Sequence, residues 1–227
     1  ALADPALIFD LGGKFDKSFN ESAFTGAQRW ADETGGSFDE VELQSDAQRE
    51  QALRRFAENG NNPIVMAGFA FATALEEVAA DYPDTKFQII DMVVGQPNVR
   101  SIVFSEEQGS YLVGMLAAMA SETNTVGFIG GMDIPLIRNF ACGYAQGVLS
   151  VNADATVISN MTGTTPAAWN DPVKGSELTL AQKSQGADVV YAAAGGTGIG
   201  VLQTAADNDM LSIGVDSNQN YLQSGKV

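Results

Sequence analysis

The chain contains no histidine and a single cysteine in 227 residues. Without His it lacks the commonest general base and the commonest metal ligand. A lone Cys142 closes no internal disulfide and offers no C-x-x-C metal pair. It falls in "LIRNFACGYAQGVL", an amphipathic helical pattern, where a core role is expected rather than that of a nucleophile. Basic side chains are also scarce: 12 Lys and Arg stand against 28 Asp and Glu, a net charge of -16. They form no stripe, so polyanions such as nucleic acid are repelled, while a small neutral or cationic ligand stays open. No apolar run approaches the ~20 residues that span a bilayer. There is no G-x-S-x-G nucleophile motif and no G-x-x-x-x-G-K-[ST] phosphate loop. Together these absences favour binding over catalysis, with no metal and no cofactor expected.

What is present is a regular alternation. Strand-like runs occur at 6 to 10, 40 to 43, 62 to 68, 87 to 91, 99 to 104, 125 to 130, 155 to 160, 188 to 194 and 211 to 216. Helix-length segments fill 18 to 34, 46 to 59, 71 to 81, 106 to 121, 135 to 150, 171 to 185 and 198 to 208. Short apolar strands alternating with helices predict α/β architecture with parallel sheets covered on both faces. At this length two lobes of about 110 residues each are expected.

An internal repeat supports duplication. "IVMAGFAFATALEEVAADYPDTKFQIID", from Ile64, aligns without gaps on "VVYAAAGGTGIGVLQTAADNDMLSIGVD", from Val189, a spacing of 125 (189 − 64) that places Asp91 on Asp216. A looser echo relates "ALIFDLGGKFDKSF" to "VGFIGGMDIPLIRNF". The expected boundary lies near "SETNT", giving an N-terminal lobe at 1–122 and a C-terminal lobe at 123–227.

In such sheets ligands sit beyond the carboxyl ends of the strands, which directs attention to four loops. In "IFDLGGKFDKSFN", Gly12-Gly13 permits a sharp turn, and Ser18 with Glu21 has the spacing of a capping box. Asp10 ends a strand, Phe15 offers a flat apolar surface, and Asn20 carries an amide that both donates and accepts; a plain capped turn fits the same residues. In "AAAGGTGIG" the glycine spacing departs from the dinucleotide fingerprint, so Gly195 and Gly196 suit close backbone approach to a ligand or a tight turn. Asp216, at a strand end, can accept two hydrogen bonds from vicinal hydroxyls, whereas Asp91 reads as structural. Trp169, in "GTTPAAWNDPVKG", either packs under its loop or stacks on a ring, a contact worth about 1–3 kcal/mol per base; Asp171-Pro172 is an ordinary helix entry.

Taken together, "DLGGKFDKSFNESAFTGA", "FQIIDMV", "SEEQGSYLVGMLAAMAS", "VGFIGGMDIPLIRNFACGYAQGV", "DPVKGSELTLAQKSQGADVVYAAAGGTGIGV" and "IGVDSNQ" resemble the basic membrane protein (BMP) family of ABC-transporter solute-binding proteins, along essentially the whole chain. The resemblance implies a type I periplasmic-binding-protein fold: two Rossmann-like lobes with a hinge that close on a purine nucleoside such as guanosine, inosine or adenosine and hand it to an ABC permease. It also implies that Phe15 and Trp169 sandwich the base, with Trp169 a departure from the Phe frequent there. Asp10 and Asn20 would then meet the base edge, and Gly195 or Gly196 with Asp216 would hold the ribose hydroxyls. A sugar, an autoinducer or another polar solute on the same fold is the alternative, followed by a nucleotide-dependent enzyme.

Location follows from the same resemblance and from the chain's start. "ALADPALIFD" has the look of the mature side of a processed signal peptide, and a trimmed start would look the same. The family is commonly anchored through a lipidated N-terminal Cys that this sequence does not show. A periplasmic or cell-envelope protein is expected, touching the membrane only through the permease or a possible lipid anchor. Family members continue past "SGKV" with further strands, a ligand-contacting lysine and return crossings to the first lobe, so a longer C-terminal part is expected.

Overall fold

The computed structural model describes residues 3–227; Ala1 and Leu2, part of the start read above as processed, lie outside the described residues. The chain divides into two compact units. The first holds the chain up to Phe15 and Phe19–Phe104, and the second holds Asp16–Ser18 and Ser105–Val227.

The first unit is a five-stranded parallel sheet. Its strands are β1 (Ala6–Phe9), β2 (Asp39–Glu42), β3 (Ile64–Ala67), β4 (Phe87–Ile90) and β5 (Val99–Ile102), in the order β2-β1-β3-β4-β5. Helices α1 (Phe19–Thr34), α2 (Gln48–Glu58) and α3 (Ala72–Asp81) make the crossovers. Side-chain alternation sorts the faces. Ala6, Ile8, Ile64, Met66, Phe87 and Ile89 pack with Leu53 and Phe56 of α2 and Leu75 and Val78 of α3. Leu7, Val65, Gln88 and Ile90 point to the other face, where with Ala23, Ala27 and Trp30 of α1 they line a groove of about 440 Å³.

The second unit repeats the plan. Strands β6 (Thr125–Met132), β7 (Thr156–Gly163), β8 (Val189–Ala193) and β9 (Leu211–Ile213) form a parallel sheet in the order β7-β6-β8-β9. Helices α4 (Glu106–Ala120) and α5 (Pro135–Val151) share a core with Val126, Phe128, Val189 and Tyr191. Helices α6 (Pro172–Ser184) and α7 (Thr197–Asp207) cover the opposite face, where Ile129, Val190 and Ala192 meet Val201 and Ala205. The first four strands of each unit thus occupy equivalent places. The spacing of 125 holds from β3 to β8 (189 − 64) and from α3 to α7 (197 − 72). The matched aspartates share one backbone state, with φ of 70° at Asp91 and 64° at Asp216.

Three expectations are corrected in detail. The division falls between Phe104 and Ser105, ahead of α4 rather than after residue 122. The reason is close helix packing: a Cβ at Gly143 or Gly147 of α5 would strike the Glu107 or Tyr111 carbonyl of α4, and one at Gly114 would strike that of Tyr144. These glycines bring the two helix backbones together, which binds α4 to the second unit. Strand β9 stops at Ile213, short of 216, because the Val215 amide turns to donate to Gln219 Oε1 at 2.9 Å and Asp216 enters the left-handed region. Cys142 is exposed rather than core: the buried stripe of α5 runs through Ile137, Gly143, Tyr144, Gly147 and Val148, and Cys142 lies outside it.

Candidate functional site

In the first unit, the turn after β1 is built from inside. Gly12 (φ 118°) and Gly13 (φ 88°) lie in the left-handed region that favours glycine. Asn20, buried in the first turn of α1, donates through Nδ2 to the carbonyls of Asp10 and Gly13, each at 3.1 Å. Asp10 Oδ1 accepts from the Leu11 amide at 2.8 Å and from Arg49 Nη2 at 2.6 Å and Nε at 3.2 Å. Arg49 is itself buried and also reaches Asp46 Oδ1 at 2.7 Å. Asp10 and Asn20 therefore come together, and both brace the loop.

Phe15 is 58% exposed. Its ring meets Phe24 edge-on at 5.6 Å, and Lys14 Nζ lies 5.1 Å from its centre. The same ammonium sits 3.7 Å from the centre of Phe24 and pairs with Glu40 at 2.5 Å. The near-perpendicular meeting of the two rings is the edge-to-face geometry that aromatic pairs prefer.

The second unit gathers the other four predicted residues. Trp169 ends a short 3-10 turn, Pro166–Trp169. Its indole packs on the backbone of Gly131, where any Cβ would enter the ring. The turn after β8 passes beside it: a Cβ at Gly195 or at Gly196 would lie 3.3 Å from the Trp169 carbonyl oxygen. Gly195 has φ 56°, so its lack of a side chain serves both the turn and the close approach. Thr197 fastens the pieces, donating through Oγ1 to the Ala168 carbonyl at 2.8 Å and accepting from the Asp171 amide at 2.7 Å. Asp171 in turn caps α6, accepting from the Lys174 amide at 2.9 Å.

Asp216 lies at the same end of the sheet with two residues that the sequence reading left out of the site, Asp16 and Ser18. Ser18 donates through Oγ to Asp216 Oδ2 at 2.5 Å and through its amide to Asp16 Oδ1 at 2.9 Å. Both Ser18 and Asp16 are buried, and a Cβ at Gly196 would lie 3.9 Å from Asp16 Cβ. Asp216 is exposed as a whole residue, yet desolvation of its carboxyl pushes it up to about 6; the Ser18 hydroxyl opposes that rise, and the Asp16 charge adds to it. On β8, burial pushes the Tyr191 phenol up to about 12, with hydrogen bonding by Ser110 opposing and the Asp216 charge contributing. The segment 16–18 is fixed by Gln219, whose Nε2 donates to the Lys17 carbonyl at 2.7 Å. The motif D-K-S-F-N contained the signal for Asp16, but the serine read only as a helix cap.

The site thus brings together an indole packed on Gly131, two glycines whose missing side chains make room for the Trp169 carbonyl, and a carboxylate able to accept from hydroxyls. Comparison with known proteins gives the family. The model of the Bmp family, described as "ABC transporter substrate-binding protein PnrA-like", matches residues 5–227. The chain is 34% identical to the ABC transporter nucleoside-binding protein BmpA of Lactococcus lactis subsp. cremoris, over 96% of this chain and 64% of that protein. It is also 34% identical to an uncharacterized lipoprotein of Pyrococcus furiosus, over 95% of this chain and 57% of that one. Among solved structures, a solute-binding protein of an ABC transporter system from Aeropyrum pernix K1 superposes with a TM-score of 0.87 at 32% identity, covering 96% of this chain and 64% of that one. The chain therefore spans less than two thirds of the length of these relatives. With a family model matched along nearly its whole length, this chain belongs to the Bmp family of PnrA-like ABC transporter substrate-binding proteins.

Proposed function

We propose that this protein captures a purine nucleoside outside the cytoplasm and delivers it to an ABC permease. The observation that carries the reading is the convergence in the second unit of Trp169, Gly195, Gly196 and Asp216. Trp169 supplies a plane for the base, the glycines admit the ligand to backbone distance, and Asp216 accepts from the ribose hydroxyls. Phe15, in the first unit, is the second aromatic of this reading. Asp10 and Asn20 contribute by holding the turn that carries it, not by reading the base edge with the groups they spend on the loop. The nucleoside named for the Lactococcus relative supports the ligand class. The neighbouring carboxyls of Asp16 and Asp216 disfavour a phosphorylated ligand, as does the net charge of -16.

The lipoprotein relative supports an extracytoplasmic location, and among the described residues no helix is long and apolar enough to cross a membrane. The family is one of solute-binding proteins, which is not an enzyme class. Thermal-shift titration with guanosine, inosine, adenosine, cytidine, ribose and GMP tests the proposal. Purine nucleosides at about 100 times their dissociation constant should add about 2.7 kcal/mol of stability, with ribose and GMP inert. A shift with ribose or another sugar and none with any purine nucleoside overturns it.

A further inference from the structure

Ser18 holds two carboxylates at once, giving its amide proton to Asp16 and its hydroxyl proton to Asp216. Two acids bridged by one residue lie close enough to repel when both are ionised; Asp16 and Ser18 are buried, and desolvation of the Asp216 carboxyl weakens the screening between the two charges. The groups that act on Asp216 include Asp16 and Ser18 from the first loop and the Tyr191 phenol from β8. Gln219 has both ends in use, accepting from Val215 and donating to Lys17, so it fixes the turn that carries Asp216.

We propose that Asp16, Ser18 and Asp216 form a proton-linked ligand clamp, in which a proton on Asp216 and the hydroxyls of a nucleoside compete for the same carboxylate oxygens. The inference rests on the nucleoside reading above and deepens it: Asp16 becomes a tuning residue and Ser18 a positioning residue of that site. The physical basis is acceptor count. An ionised carboxylate accepts from a vicinal diol with both oxygens, whereas a protonated one surrenders an oxygen as a donor. Asp16 raises the cost of ionising its neighbour, so it sets the acidity at which the clamp loosens. The raised proton affinity of Asp216 places that loosening in mildly acidic conditions. Capture is then strongest at neutral pH and release is favoured by acid.

Calorimetric titration with inosine between pH 8 and pH 5 tests the clamp. Affinity should be flat above about pH 7 and fall about tenfold per pH unit below the midpoint, the slope of one linked proton. Asp16→Asn should move the midpoint to lower pH. Asp216→Asn should weaken binding at pH 8 and flatten the profile. A carboxyl-carbon NMR titration of the unliganded protein reads the same midpoint, and in Asp16→Asn it should shift in step. A flat profile with binding intact at pH 8, or a midpoint that ignores Asp16→Asn, overturns the clamp alone. Absence of inosine binding at pH 8 overturns the nucleoside reading and the clamp with it.

Discussion

Two strand-end aspartates, Asp10 after β1 and Asp216 after β9, satisfy a carboxylate in opposite ways. Asp10 is locked to the Arg49 guanidinium, whose Nη2 lies 2.6 Å away, so its charge is neutralised within the first unit. Asp216 instead receives the Ser18 hydroxyl at 2.5 Å and has Asp16 as a neighbour, so its ionised form is held by a neutral donor beside like charge. The contrast separates scaffold from site. A carboxylate closed by a cation stiffens a loop, and one held at raised proton affinity keeps chemistry in reserve.

The sharpest way to break the contrast is Arg49→Ala. It strands a partly buried carboxylate on Asp10, and chemical denaturation should report a loss of about 3–5 kcal/mol. Next comes Gly131→Ala, whose methyl enters the space of the Trp169 ring. Overpacking should cost about 2–3 kcal/mol, and nucleoside affinity should fall with it, read by the same denaturation and by titration. Asp216→Asn acts in the other direction. Because the folded carboxyl is raised to about 6, the native state binds more protons than the unfolded chain between about pH 4 and pH 6, and stability falls as pH rises through that window. The variant should thus be more stable than the parent at pH 8 and no more stable at pH 4; thermal melts at both values decide. The smallest effect belongs to Arg29→Ala, which removes an exposed pair with Glu33 on α1. A change of only about 0.3–0.5 kcal/mol is expected, and a larger loss would mean that surface pairs matter here as much as the Asp10 lock.

Much of the fold was legible because its signals are local. Among the described residues, the nine strands and seven α-helices lie where apolar runs and helix-length segments put them, each shifted by a few residues at most. The repeat was readable because β3 and β8 meet equivalent neighbours, and Asp91 and Asp216 share a left-handed φ. The unit boundary was not, since it depends on how closely α4 packs on α5 through Gly114, Gly143 and Gly147. In the site, glycine turns and Trp169 were visible as composition. The partnership of Arg49 with Asp10 spans 39 residues, and that of Ser18 with Asp216 spans 198. Neither leaves a mark on local spacing, so Arg49 read as an ordinary helix residue and Ser18 as a cap.

The central claim, that the second unit stacks a purine nucleoside on Trp169, is tested most directly by fluorescence. The chain has two tryptophans, so Trp30→Phe leaves Trp169 as the sole reporter. Adding inosine or guanosine should change its emission saturably, and ribose should not. An unchanged spectrum on addition of either purine nucleoside, or the same change with ribose alone, would contradict the account.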